Sequence, residues 1–244
     1  MNALAAELPD IPRWIETRAM LLSGRARLFG GSDVREGFVV RLCDNGLCAA
    51  AVVGSPGPDA VREATADTPK KMPVIAQTEN ADALVGALQA WHRCTAVLHV
   101  LRDTTTPVVH DDENLRVLLP DEEHRLRHLP ADLRAEMTTA LRSCPIMCAF
   151  VDDRPVSFCY PCWRTETLWD ISIDTLAEHR GQGYAERCTR AMIVLMRRQG
   201  LEPVWGAMEW NEPSLRLAAK LGFVAVDRVQ VFSRDPSWVF YGTT

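Results

Sequence analysis

The sequence predicts an α/β protein made of two blocks, and three observations carry that expectation. The chain has 244 residues, more than the ~100 to 200 usual for one domain. Short apolar runs of period two alternate with stretches of period near 3.6, the patterns of strands and helices. A turn-rich, acidic stretch containing Pro107, from Thr104 to Asn114, interrupts them near the middle and is the natural linker. The expected division is 1–112, an additional N-terminal α/β domain, and 113–244.

In the first block, Trp14–Leu22 reads as a short helix. Phe38–Cys43 and Leu47–Val53 read as strands around Asp44-Asn45-Gly46, where Asn-Gly suits the positive φ angles of a tight hairpin. Ser55-Pro56-Gly57-Pro58 breaks the chain. A polar helix from about Asp59, an apolar Met72–Ala76, a helix over about Asn80–His92 and a strand at Thr95–Leu101 complete the block.

The second block opens with a strand at Leu115–Leu119 and a helix over about Ala131–Arg142. Met147–Val151 and Pro155–Tyr160 bracket the turn Asp152-Asp153-Arg154. In the next strand, Trp169, Ile171, Ile173 and Thr175 share one face, and Asp170, Ser172 and Asp174 share the other, so one side is core and one polar. Ala185, Cys188, Met192, Leu195 and Met196 are spaced as a helix, stopped by Gly200. A strand at Val204–Met208, a helix at Pro213–Leu221 and a strand at Phe223–Phe232 follow.

Composition bounds the function. With 47% hydrophobic and 24% charged residues the chain is globular, which excludes disorder, collagen-like and coiled-coil classes. The formal charge of -5 leaves no surplus of Lys and Arg to neutralise phosphates, so nucleic acid is not an expected partner. No apolar run reaches the roughly 18 residues that cross a bilayer, and Met1–Pro12 has no basic flank. The expectations are a cytoplasmic protein, no membrane partner, and eight cysteines that stay reduced and free.

Chemistry concentrates at Arg180-Gly181-Gln182-Gly183-Tyr184-Ala185, between the alternating strand and the long helix. Backbone amides opening a helix are unpaired donors at its positive end, and glycines let a phosphate approach them. A Gly-x-Gly turn is also simply a tight strand-to-helix turn. No third glycine in register supports a Rossmann fingerprint, and no Gly-Lys-Ser/Thr supports a phosphate loop of NTPases.

His179–Ala185 resembles the Arg/Gln-x-x-Gly-x-Gly/Ala acetyl-coenzyme A signature of the GNAT superfamily of N-acetyltransferases. Asn211-Glu212-Pro213-Ser214, running on to Leu221-Gly222-Phe223, resembles that family's closing pattern. The resemblance spans Asn114–Phe232. It implies a GNAT-like mixed central sheet flanked by helices and acetyl-CoA as co-substrate. Arg180, Gly181, Gln182, Gly183, Tyr184 and Ala185 would hold the pyrophosphate, and the edge Ile173–Thr175 would pair with the pantetheine arm across from Val204–Met208. Asn211 and Ser214 would stand beside the thiol end, or simply cap a helix before Pro213. Acetyl transfer to an amine by direct attack follows, and the alternative is a non-catalytic acyl-CoA-binding or sensing module.

The pattern breaks at Ala218, where many members keep a Tyr as general acid; Tyr184, Tyr241 or water would substitute. Asp170 is the first choice of base, with Asp174, Glu166 and Glu209 behind it. Trp163, Trp169, Trp205 and Trp210 are expected to be mostly core, with one or two walling an acceptor pocket. Cys144, Cys148, Cys159 and Cys162 have spacings that admit a zinc site if the hairpin sets Cys148 opposite Cys159, but strand alternation separates neighbouring thiols, so no metal is expected. The first block is expected to cap the acceptor or to be a degenerate half of a tandem pair. The acceptor amine is unidentified, and a homodimer is an option.

Overall fold

The computed structural model describes residues 1–44, 47–103 and 112–235. Two helices open it, α1 (Asn2–Glu7) and α2 (Ile15–Leu22). Pro12 starts the single 3-10 turn before α2, a position its fixed φ suits. β1 (Arg27–Gly30), β2 (Phe38–Asp44) and β3 (Leu47–Val53) form an antiparallel meander. Asp44 pairs with Leu47, so the strands meet where the hairpin is expected, although Asn45-Gly46 lies outside the described residues. α3 (Pro58–Thr65) and β4 (Val74–Gln77) follow, β4 running parallel to β3.

The expected helix over Asn80–His92 is cut to α4 (Ala81–Leu84), after which the chain turns into β5 (His92–Leu101). Ala90 has a φ of 63°, a left-handed conformation that no continuing helix accepts, and Gly86 lies inside the lost segment.

In the second half come β6 (Leu115–Leu118), a 3-10 segment at Pro120–His128, α5 (Ala131–Leu141), β7 (Ile146–Val151), β8 (Arg154–Arg164), β9 (Leu168–Thr175), α6 (Tyr184–Arg197), β10 (Glu202–Met208), α7 (Glu212–Lys220) and β11 (Phe223–Ser233). Asp152 and Asp153 turn the β7–β8 hairpin at φ 47° and 63°, the signature of a two-residue turn that matches strand twist. The sequence pattern misses the short α1 and β1 and the 3-10 segment.

All eleven described strands join one mixed sheet, ordered β1-β2-β3-β4-β11-β5-β10-β9-β8-β7-β6. The sheet does not divide at residue 112. β5, which precedes that point, is hydrogen-bonded between β10 and β11, which follow it, and β11 also pairs with β4. Met20 and Leu21 of α2 pack with Phe38, Val40, Ala51, Leu98 and Val231 on one face, where α5 covers Phe158 and Tyr160. On the other face α3 and α4 cover Val39, Val52 and Phe232, and α6 and α7 cover Trp169, Ile171 and Trp205. No helix among the described residues is long and apolar enough to cross a membrane.

Candidate functional site

β9 and β10 are parallel neighbours, but only their first residues pair. The register runs Glu202↔Leu168, Pro203↔Trp169 and Val204↔Asp170 and ends there. Beyond it β9 keeps its bonds to β8, and β10 keeps its bonds to β5. The facing edges from Ile171 to Thr175 and from Trp205 to Met208 therefore part, and a fork opens in the sheet. Unpaired strand edges are templates for any extended ligand with amide groups.

The fork closes at Asp170 and opens toward the turn after β9. Ala177–His179 makes a 3-10 turn there, and Arg180 to Gly183 lead into α6. Gly181 and Gly183 have φ of 74° and 81°, and an added Cβ at either would meet nothing within 4 Å. Glycine is thus required by conformation and not by crowding, and the space before the turn is open. Gly183 is the N-cap of α6, and no side chain caps the helix. The first intrahelical bond is Arg187 N to Gly183 O, so the preceding amides point out of the helix end, where its dipole favours an anion. Arg180 Nε donates to Thr175 O at 3.3 Å and Gln182 Nε2 donates to Glu178 O at 3.2 Å, holding the turn.

The other sequence-derived candidates occupy defined places. Ile173 packs toward the α6 core, and Thr175 Oγ1 lies 2.7 Å from Ser157 Oγ. Asn211 Oδ1 accepts from Ser214 N at 3.2 Å as the cap of α7, and Ser214 Oγ accepts from Trp205 Nε1 at 3.0 Å. These two residues lock α7 to β10 while Asn211 also faces the cavity described next. Tyr184 packs edge-on to His179 and beneath the Arg187 guanidinium. Ala218 is fully buried, so no hydroxyl stands at its position. Tyr241 lies outside the described residues.

A cavity of about 790 Å³ lies on the face covered by α2 and α5, over the closed end of the fork. Asp170, Ser172, Cys162, Tyr160, Gly206 and Met208 line its sheet side. One face of α5, Asp132, Ala135, Glu136, Thr139 and Ala140, forms an outer wall, the i, i+3, i+4 spacing of one helix side. Trp163 and Trp210 line the cavity, whereas Trp169 and Trp205 are core. A bulge in β8 between Pro161 and Arg164 inserts an extra residue opposite β9, which turns Cys162 and Trp163 into this space.

Glu16 of α2 enters the same cavity from the N-terminal half. Burial, with no compensating cation, pushes its carboxyl up to about 7. Asp170 is pushed well above the usual carboxylate range, first by burial and then by the Glu16 charge, although the amides of Gly206 and Ile171 partly oppose this. Asp174 rises to about 7 through burial and the neighbouring Glu136. Tyr160 donates its hydroxyl hydrogen to Glu136 Oε1.

Two weaker base candidates are engaged elsewhere. Glu166 receives two hydrogen bonds from Arg18, and Glu209 pairs with Arg228 at 3.1 Å. Sequence reasoning missed Glu16, Glu136 and Tyr160. A signal existed for Glu16: it stands three and four residues before Ala19 and Met20, on the apolar face of α2, where an acid is out of pattern.

The cysteines depart from expectation in two ways. Cys43 and Cys48 form a disulfide between β2 and β3, where the strand register sets them directly opposite each other, so not all eight are free. Cys148 faces Phe158 and not Cys159, because the hairpin turns at Asp152-Asp153, with Val151 opposite Arg154, and not about Asp153-Arg154; the bulge between Ala149 and Phe150 makes up only one residue of the difference. Cys148 lies in the α5 core, Cys159 in the α6 core, and Cys144 and Cys162 on the cavity. No three His, Cys, Asp or Glu among the described residues are grouped to share a metal ion.

Residues 147–232 match the family described as GNAT acetyltransferase. No curated protein matches the chain in sequence. Among solved structures, a GCN5-related N-acetyltransferase-like protein from Streptococcus suis superposes with a TM-score of 0.68 at 15% identity, over 95% of this chain and 96% of that one. A GCN5-related N-acetyltransferase from Kribbella flavida gives 0.61 at 14% identity, over 96% and 95%. A tandem GNAT protein from the clavulanic acid biosynthesis pathway gives 0.52 at 14% identity, over 96% of each chain. The likeness is one of fold, and it includes the N-terminal half.

Proposed function

Because residues 147–232 match the GNAT acetyltransferase family in a chain of GNAT-like fold, we propose that the protein is an acetyl-CoA-dependent N-acetyltransferase whose amine acceptor attacks the thioester directly. One observation carries this: the fork between β9 and β10 ends at Asp170 and opens onto the amide-lined turn before α6. A ligand with an anionic pyrophosphate at one end, an amide-bearing arm and a reactive acyl group at the other has these needs in this order.

In this proposal the amides from Gly181 to Ala185 hold the pyrophosphate, the Arg180 amide being bonded to Ala177 O, and the unpaired edge Ile173–Thr175 takes the arm. The acyl end then lies beside Asp170 and Gly206, where an added Cβ would stand 3.7 Å from Asp170 Oδ1. Asp170 removes a proton from the acceptor ammonium, a task suited to a carboxylate whose proton affinity burial has raised. The amine lone pair forms the C–N bond, the C–S bond breaks, and its electron pair leaves on sulfur. With Ala218 at the usual tyrosine position, water protonates the thiolate, which at a thiol pKa of roughly 8.5 leaves without strong assistance.

Calorimetric titration with acetyl-CoA, followed by thiol release on a panel of amines, tests the proposal. Binding with amine-dependent thiol release is expected. The buried Ala218 favours one other reading, an acyl-CoA-binding or sensing module, which tight binding without release on any amine would establish.

A further inference from the structure

Among the described residues the cavity presents four carboxyl groups, Glu16, Asp132, Glu136 and Asp170, and one ammonium, Lys71, and no Arg or His of those residues lines it. They are arranged in depth. Glu16 and Asp170 stand at the closed end of the fork, whereas Asp132 and Glu136 stand on the exposed face of α5 at the mouth. Lys71 offsets Asp132, at 3.4 Å. Glu16 lines the cavity, and its Oε2 is shielded from solvent and accepts no hydrogen bond. A buried acceptor without a donor is costly, and a cation held beside this carboxyl would offset that cost.

We propose that the cavity binds an acceptor bearing at least two ammonium groups, one delivered between Glu16 and Asp170 and the second held at the mouth by Glu136 with Asp132. This rests on the transferase reading for the fate of the inner amine but not for the binding itself. A monoamine would fill only the inner position. Trp163 and Trp210 supply aromatic walls against which the carbon chain or ring of such a molecule can pack. Cys162 of β8 faces both members of the inner pair, and Tyr160 of β8 and Glu136 of α5 line the same cavity farther out. None is cationic, so the incoming ammonium is the charge that ionises Glu16 and Asp170, and binding releases protons. Linear polyamines and amino sugars share this chemistry.

The test titrates the full chain, without acetyl-CoA, with spermidine, with an aminoglycoside and with n-butylamine. At least one polycation is expected to bind about tenfold more tightly than the monoamine, with proton release that differs between buffers of different ionisation enthalpy. Glu136→Gln keeps an acceptor for the Tyr160 hydroxyl and should cut that preference about fivefold; Asp132→Asn, already half offset by Lys71, should cut it less. Whichever polycation wins names the source. Equal affinity for all three, or a preference untouched in both variants, overturns the proposal. Preferential binding without acetyl transfer would sink the transferase reading and leave this one standing.

Discussion

Arg18 Nη2 donates to both carboxylate oxygens of Glu166 at 2.7 Å, so an arginine of α2 grips the loop between β8 and β9. Its Nη1 also donates to the carbonyls of Ala5 and Leu8, and Thr167 donates to Asp10 Oδ2 from both N and Oγ1. Through these bonds the helix that carries Glu16 is fixed beside the strand that carries Asp170. Arg18→Met should leave two buried carbonyls unsatisfied and cost about 2–4 kcal/mol. Chemical denaturation would show it, and an unchanged midpoint would mean that α2 is held by its apolar face alone.

Gly183→Val forces a β-branched side chain into a φ of 81° at the N-cap of α6. The strain is about 1–2 kcal/mol, small enough for the fold to survive. Its side chain then occupies the open space before the amides, and acetyl-CoA affinity should fall at least tenfold by calorimetry. A folded variant of unchanged affinity would place the pyrophosphate elsewhere.

As a base, Asp170 must be ionised, so turnover should rise with pH through the elevated titration of the Glu16 and Asp170 pair. Asp170→Asn should lose most activity near neutrality and recover partly at high pH, where free amine is abundant, with acetyl-CoA affinity little changed. Glu16→Gln removes a like charge from beside Asp170, and the rising limb should move to lower pH. A limb that stays in place would remove Glu16 from any role in tuning the base.

Stability carries the opposite sign. Glu16 and Asp174 titrate at about 7 in the fold, above their unfolded values, so the native state holds protons that the unfolded chain has lost. Stability from this source is present below about pH 4 and is lost as pH rises to about 7. Glu16→Gln should therefore be the more stable protein above neutrality, by on the order of 2 kcal/mol, with little difference near pH 4. Thermal melts across that range would reveal the crossover or its absence.

A chain beginning at Asp112 should not fold. It would lack β5, leaving facing edges of β10 and β11 without the strand that bonds both. Loss of soluble, cooperatively melting protein is the expected outcome; a truncated domain with a normal melt would show that the sheet can close over the gap.

The elements that carry a strong local period were legible in the sequence. The alternation over Trp169–Thr175, the helical spacing from Ala185 to Met196, the glycine turn between them and the Asp152-Asp153 hairpin are short-range consequences of side-chain size and φ preference, and the fold class followed from their order. Tertiary structure alone decided three things. Insertion of β5 between β10 and β11 depends on pairing between segments roughly a hundred residues apart, for which no local pattern exists. The turn centred on Asp152-Asp153 set Cys148 opposite Phe158, and the one-residue bulge in β8–β9 gave Cys162 a new neighbour, because a shift of a single residue changes which side chains oppose each other. The meeting of Glu16 with Asp170 arose because α2 packs on the polar face of β9, which joins two unremarkable carboxylates into one buried pair whose proton affinity neither residue has in isolation.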